Sequence, residues 1–217
     1  MRKVIHVWSQ RQRWGADQRR HELALSSWQR EYKTGCWVSV PVTQAQLRRN
    51  AKTTLRDPRE LPFLRDLLDL ATKQAATDDL ICFCNDDTVW AHGITDTVLH
   101  VKHCAFASRH EFVRLPKMPT CIEIIIARKH CGCDFFVFRP RWWQANRRDM
   151  PDMILGCEAW DLVLRKLMAS CNGAELHAAI AHEEHGATWQ GRRNDPSALH
   201  NRKLAGEWLA KRGLTWD

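Results

Sequence analysis

The sequence predicts an α/β fold: one domain over residues 1–217, with short buried strands alternating with amphipathic helices around a sheet. Three observations predict it. Apolar runs of strand length stand at Val4–Trp8, Trp37–Val42 and Leu80–Cys84, too short for helices and suited to strands buried on both faces. Helix-spaced apolar residues separate them. The 217 residues, 44% hydrophobic and 27% charged, are enough for one substantial core and lie in the ordinary globular range.

Val4-Ile5-His6-Val7-Trp8 is the first strand, and residues 16–31, with Leu23, Ala24 and Trp28 among charges, form the first helix. Trp37–Val42 is the second strand. Residues 43–60 are polar and basic without a convincing period, which predicts a long loop or a partly helical excursion. From Pro62 to Ala76, the residues Leu64, Leu67, Leu68, Ala71 and Ala75 recur at helical spacing, with Pro62 acceptable at a first helical position. Asp57-Pro58-Arg59-Glu60 resembles a capping box, but that start would put Pro62 inside the helix, so the later start is preferred. Leu80–Cys84 is the third strand, bounded by Asp78-Asp79 before it and Asn85-Asp86-Asp87 after it. Residues 88–120 give no clear pattern. Cys121–Ala127 and Phe135–Phe138 read as strands, Glu158–Cys171 as a helix stopped by Asn172-Gly173, and His200–Arg212 as a last helix stopped by Gly213. This order predicts a largely parallel sheet, with ligands at the carboxyl ends of its strands.

The formal net charge of +8 is unevenly placed. Residues 1–60 hold 13 Lys/Arg against 5 Asp/Glu, and the rest of the chain is balanced. That asymmetry suggests an anionic partner: nucleic acid, a membrane surface or a nucleotide diphosphate. An ordinary solvated basic face accounts for it equally well. No apolar run reaches the roughly 20 residues of a membrane span, and the first residues have no signal-peptide pattern, so the expected compartment is the cytoplasm. Nine cysteines are an odd number without zinc-type spacing. They read as reduced packing thiols, Cys82 and Cys84 on one face of their strand.

Neither GxxxxGK[ST] nor a GxGxxG after the first strand is present, which removes two common ways of cradling phosphates. A nucleotide on this sheet then needs Lys/Arg, or a divalent cation on carboxylates. Asn85-Asp86-Asp87 offers the second route. Alone the triplet is an ordinary turn sequence; its place after a wholly apolar strand gives it weight. A second cluster is His182-Glu183-Glu184-His185, after Ala178-Ala179-Ile180-Ala181 and before Trp189. Its spacing is not the HExxH of zinc peptidases, and a late His at a strand end suits a further metal ligand. The third cluster is Asp134-Phe135-Phe136-Val137-Phe138, Trp142-Trp143, Pro151-Asp152 with Gly156, and Trp160-Asp161. Asp152 is the candidate general base, with Trp142-Trp143 as a desolvating wall and Asp149 and Asp161 as neighbouring rivals.

In order of features over residues 1–190, these segments resemble the GT-A type of nucleotide-sugar glycosyltransferase: Asn85-Asp86-Asp87 after an apolar strand, Cys133–Phe138 with Trp142-Trp143, Pro151-Asp152, Gly156 and Trp160-Asp161. The resemblance implies a GT-A-like, Rossmann-type mixed sheet with flanking helices. Residues 1–90 would be a nucleotide-binding half and residues 91–217 an acceptor-side half. It implies a divalent metal (Mn or Mg) on Asp87 with Asp86, in a DxD-type motif where Asn85 stands at a position many members give to Asp. His182 or His185 would be a further ligand, and Asp152 the acidic residue near the acceptor. The implied activity is transfer of a sugar from a nucleotide-sugar donor to an acceptor that the sequence does not specify. From another class stands a basic nucleic-acid-binding protein, with or without metal-dependent nuclease activity, suited to the +8 charge and 11 Trp. A non-catalytic partner-binding module is the third reading.

Overall fold

A computed structural model describes residues 2–9, 15–47, 49–115, 123–124, 127–177, 179–185 and 192–216. The strands are β1 (Val4–Ser9), β2 (Trp37–Val42), β3 (Leu80–Cys84), β4 (Val89–Trp90), β5 (Cys104–Phe112), β6 (Arg128–Phe138), β7 (Ala174–Glu175) and β8 (Ile180–Glu183). The helices are α1 (Ala16–Tyr32), α2 (Ala51–Leu55), α3 (Leu64–Gln74), α4 (Ile94–Leu99), α5 (Pro140–Asn146), α6 (Trp160–Ser170) and α7 (Pro196–Lys211). All eight strands join one mixed sheet in the order β2-β1-β3-β6-β5-β8-β4, with β7 beside β5. No helix among the described residues is long and apolar enough to cross a membrane.

β1 pairs in parallel with β2 and β3, while β6 runs antiparallel to both β3 and β5. β8 is parallel to β5, and β4 is antiparallel to β8. Six strands, β1, β2, β3, β5, β7 and β8, therefore point the same way, and β1, β3, β5 and β8 bring residues to one edge. That edge carries the site.

The sheet is covered on both faces, which is why β3 reads as an unbroken apolar run. Ile81 and Phe83 pack with Phe136, Trp160 and the apolar stripe Leu64, Leu67, Leu68 and Ala71 of α3. Leu80, Cys82 and Cys84 face the other way, towards Trp28 of α1 and Ile94 and Val98 of α4. Burial of such side chains stabilises by about 1.5–3 kcal/mol each. His6 sits in this second layer, between Trp28 and Trp90, with ring centroids 4.6 Å away in each case. Its Nδ1 lies 2.7 Å from the Tyr32 hydroxyl and its Nε2 3.1 Å from Cys84 Sγ. Burial pushes its pKa down to about 3, so the ring is a neutral packing element.

Several expected boundaries move, each for a local reason. The helix expected from Pro62 begins at Leu64, because Pro62 is used in an isolated bridge to Asn50 and Phe63 in one to Ile154. The last helix starts four residues earlier than expected, at Pro196, where proline is suited to a first turn. The helix after Glu158 ends as expected: Asn172 takes φ 58° and the Gly173 N–H returns to Met168 O. The strand expected over Cys121–Ala127 is not observed. Glu123 and Ile124 are helical, and residues 121, 122, 125 and 126 lie outside the described residues. The sheet is mixed, as expected from the resemblance, and less parallel than the element order alone predicts, because β6 enters between β3 and β5 in the opposite sense.

Asp57 shows how the long polar excursion is held. Rather than capping α3, it turns back to the last helix: its carboxylate accepts from Arg59 N at 2.9 Å and from Ser197 N, in the first turn of α7, at 3.1 Å. Burial alone would push its pKa up, but Arg59 and the N–H donors prevail and hold it at about 2. A carboxylate whose folded pKa is depressed stabilises fully above its unfolded value and loses that contribution as pH falls through the folded one. Asp57→Asn should cost about 1–3 kcal/mol at neutral pH. Urea midpoints compared from pH 7 downwards should show the gap to wild type closing between about pH 4 and pH 2.

Candidate metal centre and cleft

At the carboxyl edge of the sheet lies a cleft of about 750 Å³. Ser9 ends β1 there, Cys84 to Asp87 leave β3, Arg109 and Glu111 come from the second half of β5, and His182, Glu184 and His185 from the end of β8. The first half of β6 supplies His130, Gly132 and Asp134. A less polar wall is formed by Phe83, Pro62 and the segment Leu155 to Trp160.

The two sequence clusters meet because β4 and β8 pair. Val89 stands opposite Ala181 and Trp90 opposite Ile180, antiparallel, so the chain preceding Val89 runs alongside the chain following Ala181. Asp87 Oδ2 is thereby 3.7 Å from His182 Nε2 and 3.5 Å from His185 Nε2. The imidazole centroids are 4.8 Å apart. One ligand atom from each of the three residues lies within 4.8 Å of the others. Such separations are long for hydrogen bonds, whereas atoms each about 2.1 Å from a shared ion lie about 3 to 3.5 Å apart. His182 is 3% exposed, and its Nδ1 is buried without a hydrogen bond. The group can hold a divalent cation, with room on the cleft side for ligands from a bound molecule.

Beside the triad lies a network of fixed charges. Asn85 Nδ2 donates to Asp134 Oδ1 at 2.7 Å, and Arg109 Nη1 donates to Asp134 Oδ2 at 2.9 Å. Arg128 bridges Glu111 and Glu184 at 2.6 and 2.8 Å. Asp161, at the start of α6, has its pKa pushed up to about 6, first by burial and then by Asp134, against the backbone N–H groups of Leu162 and Cys133 and the charge of Arg109. That shift brings its proton exchange closer to neutral pH than an ordinary carboxylate's. Gly132 is needed for close approach: an added Cβ would lie 3.0 Å from His130 Nδ1, which accepts the Gly132 N–H.

Asn85, Asp86, Asp87, His182 and His185 all line this cleft. Their roles separate. Asp87 and the two histidines form the donor set, whereas Asp86 is buried beside it and its carboxylate is not in the set. Asn85 is occupied as a positioning donor to Asp134. Asp152, the expected general base, does not line the cleft. Arg49 clamps both its oxygens, at 2.5 and 3.0 Å, and also holds Asp66. Trp142 and Trp143 do not form a wall of the site either: they pack on Phe138, and Trp143 Nε1 donates to Asp69. Trp160 and Phe83 stand at the cleft instead. Trp189 lies outside the described residues.

Sequence reasoning missed Arg109, Glu111 and His130. The available signal was the alternation Arg109, Glu111 in a strand whose first half, Cys104 to Ala107, is apolar. Among the described residues of 1–60, Ser9, Glu60 and no arginine or lysine line the cleft. Three described arginines of that segment are engaged elsewhere: Arg19 with Glu183, Arg49 with Asp66 and Asp152, Arg59 with Asp57. The lining holds eight carboxylate residues against two arginines, and of the described tryptophans only Trp216 is exposed.

Comparison of the sequence with models of known protein families finds no match. Comparison with curated proteins also finds none. The site therefore stands on its geometry. Calorimetric titration with Mn²⁺ should give binding to wild type that weakens by more than about 100-fold in Asp87→Ala and in His182→Ala, since removing a ligand costs more than the 10- to 100-fold typical of an outer partner. Asp152→Ala should bind Mn²⁺ as wild type does.

Proposed function

We propose that the chain is a metal-dependent glycosyltransferase of GT-A-like fold, taking a nucleotide sugar as donor. The observation that carries the reading is the convergence of Asp87, His182 and His185 within 4.8 Å at the carboxyl edge of the sheet, in a cleft of about 750 Å³. That volume lies in the range of about 300–1,000 Å³ usual for small-molecule sites. The donor chemistry suits a metal: two imidazoles with one carboxylate fit Mn²⁺ and later transition ions better than Mg²⁺, which prefers oxygen ligands throughout. When bound, the metal would supply Lewis-acid stabilisation of the departing diphosphate.

The protein's own residues account for the rest. Trp160 and Phe83 offer apolar surface to a sugar or base. Asn85 and Arg109 fix Asp134, whose charge helps to keep Asp161 protonatable. Asp161 then takes the role first expected of Asp152: its raised pKa suits acceptance of the acceptor hydroxyl proton, and its unprotonated form predominates above about pH 6. Among the described lining residues carboxylates outnumber arginines, which favours a cation that offsets a diphosphate's charge over the nucleic-acid reading.

A thermal-shift screen of nucleoside diphosphates with and without Mn²⁺ tests the reading. At about 100 times Kd, one diphosphate should raise the midpoint by about 5–10 °C, and only with Mn²⁺ present. No shift with any nucleotide would contradict it. With donor and acceptor in hand, Asp161→Asn should lower turnover by about 10²- to 10⁴-fold and leave donor binding unchanged. Wild-type turnover should fall as pH drops through about 6.

A further inference from the structure

The turn that carries Asp87 is held from a second side. After β3 ends at Cys84, residues 86–90 have one edge on β8, through Val89 and Trp90. Their other edge is met by side chains of α1. Trp28 Nε1 donates to Thr88 O at 2.9 Å, Ser27 Oγ accepts from Trp90 N at 3.0 Å, and Arg30 Nη2 donates to Trp90 O at 3.0 Å. One turn or more earlier on the same helix, His21 Nδ1 lies 2.7 Å from Asp86 O. A carbonyl only accepts, so Nδ1 carries the proton and donates.

We propose that His21 is a positioning residue of the metal centre, acting through the Asp86 carbonyl on the direction in which Asp87 leaves the backbone. The inference rests on the metal reading of Asp87, His182 and His185. The Asp86 C=O and the Asp87 N–H belong to one planar peptide unit. Fixing that oxygen fixes the plane, and with it the bond from which the Asp87 side chain departs. The other α1 donors grip residues 88 and 90, downstream of the ligand. His21 grips the peptide immediately upstream, so Asp87 is bracketed between two anchored positions. The clamp touches none of the three ligand atoms; removing it leaves the donor set intact and loosens its geometry. Partners that orient ligands in this way are typically worth about 10- to 100-fold in metal affinity.

The test compares two substitutions of similar size. His21→Leu removes the donor and keeps the apolar contact with Trp8, whose ring centroid lies 5.5 Å away. His21→Asn places an amide nitrogen where Nδ1 stood, one bond beyond Cγ, and so retains the donor. Mn²⁺ affinity is measured by electron paramagnetic resonance, and the thermal midpoint is measured without metal. Expected are about 10- to 100-fold weaker binding in His21→Leu and binding within about threefold of wild type in His21→Asn, a rescue that a packing role would not give. Should His21→Leu lower the metal-free midpoint, His21→Gln replaces it: its amide lies one carbon too far out and should bind as weakly as the leucine variant. Wild-type affinity in His21→Leu, or equal weakness in the leucine and asparagine variants, would overturn the proposal while leaving the metal centre standing. Absence of Mn²⁺ binding by wild type would remove both.

Discussion

The pairing of Val89 and Trp90 with Ile180 and Ala181 is the contact on which the site depends. It joins a segment that leaves β3 to a strand nearly one hundred residues later, and it sets Asp87 opposite His182. Two residue pairs are too few to hold a ladder by themselves. The segment is stabilised by its surroundings. α1 satisfies its backbone groups from one side, and Glu31, at the carboxyl end of α1, accepts from Gly93 N, Thr95 N and Thr95 Oγ1 at the start of α4. Burial opposes ionisation of Glu31, but Thr95, Gly93 and Arg30 overcome it and keep its pKa low. One helix thereby fixes the chain from residue 86 to residue 95.

The electrostatics of the cleft follow from this arrangement. Buried charges are costly unless paired, and here Asp134 is paired with Arg109, and Glu111 and Glu184 with Arg128. The two arginines are committed to these carboxylates. An ion can add positive charge to meet an anionic substrate, and among the described residues ligand atoms converge at the Asp87, His182 and His185 group. On the proposed reading the cation and the nucleotide diphosphate share this group.

Much of the fold was legible where burial is two-sided or periodic. β1, β2 and β3 show as apolar runs because both sheet faces are covered, and α3 and α6 show as stripes because each has one buried face. β5 was hidden because its second half is polar, with Arg109 and Glu111 lining the cleft, and this removes the hydrophobic signal that marks a strand. The site was legible in part for a related reason. Asn85-Asp86-Asp87 and His182 to His185 stand at strand ends, where composition changes abruptly. Asp152 looked equally favourable, with a proline before it and apolar residues after it. Nothing local reveals that Arg49, about one hundred positions away, occupies it. Long-range ion pairs leave no mark on sequence spacing, and the same limit hid the contact between Asp57 and the last helix.

The most direct measurement is the position of a bound metal. Crystals grown or soaked with Mn²⁺ and recorded on both sides of the manganese absorption edge should give an anomalous difference peak within coordination distance of Asp87 Oδ and of nitrogens of His182 and His185, about 2.0–2.3 Å from each. A peak elsewhere in the molecule, or full-occupancy Mn²⁺ that leaves these three side chains unliganded, would contradict the account.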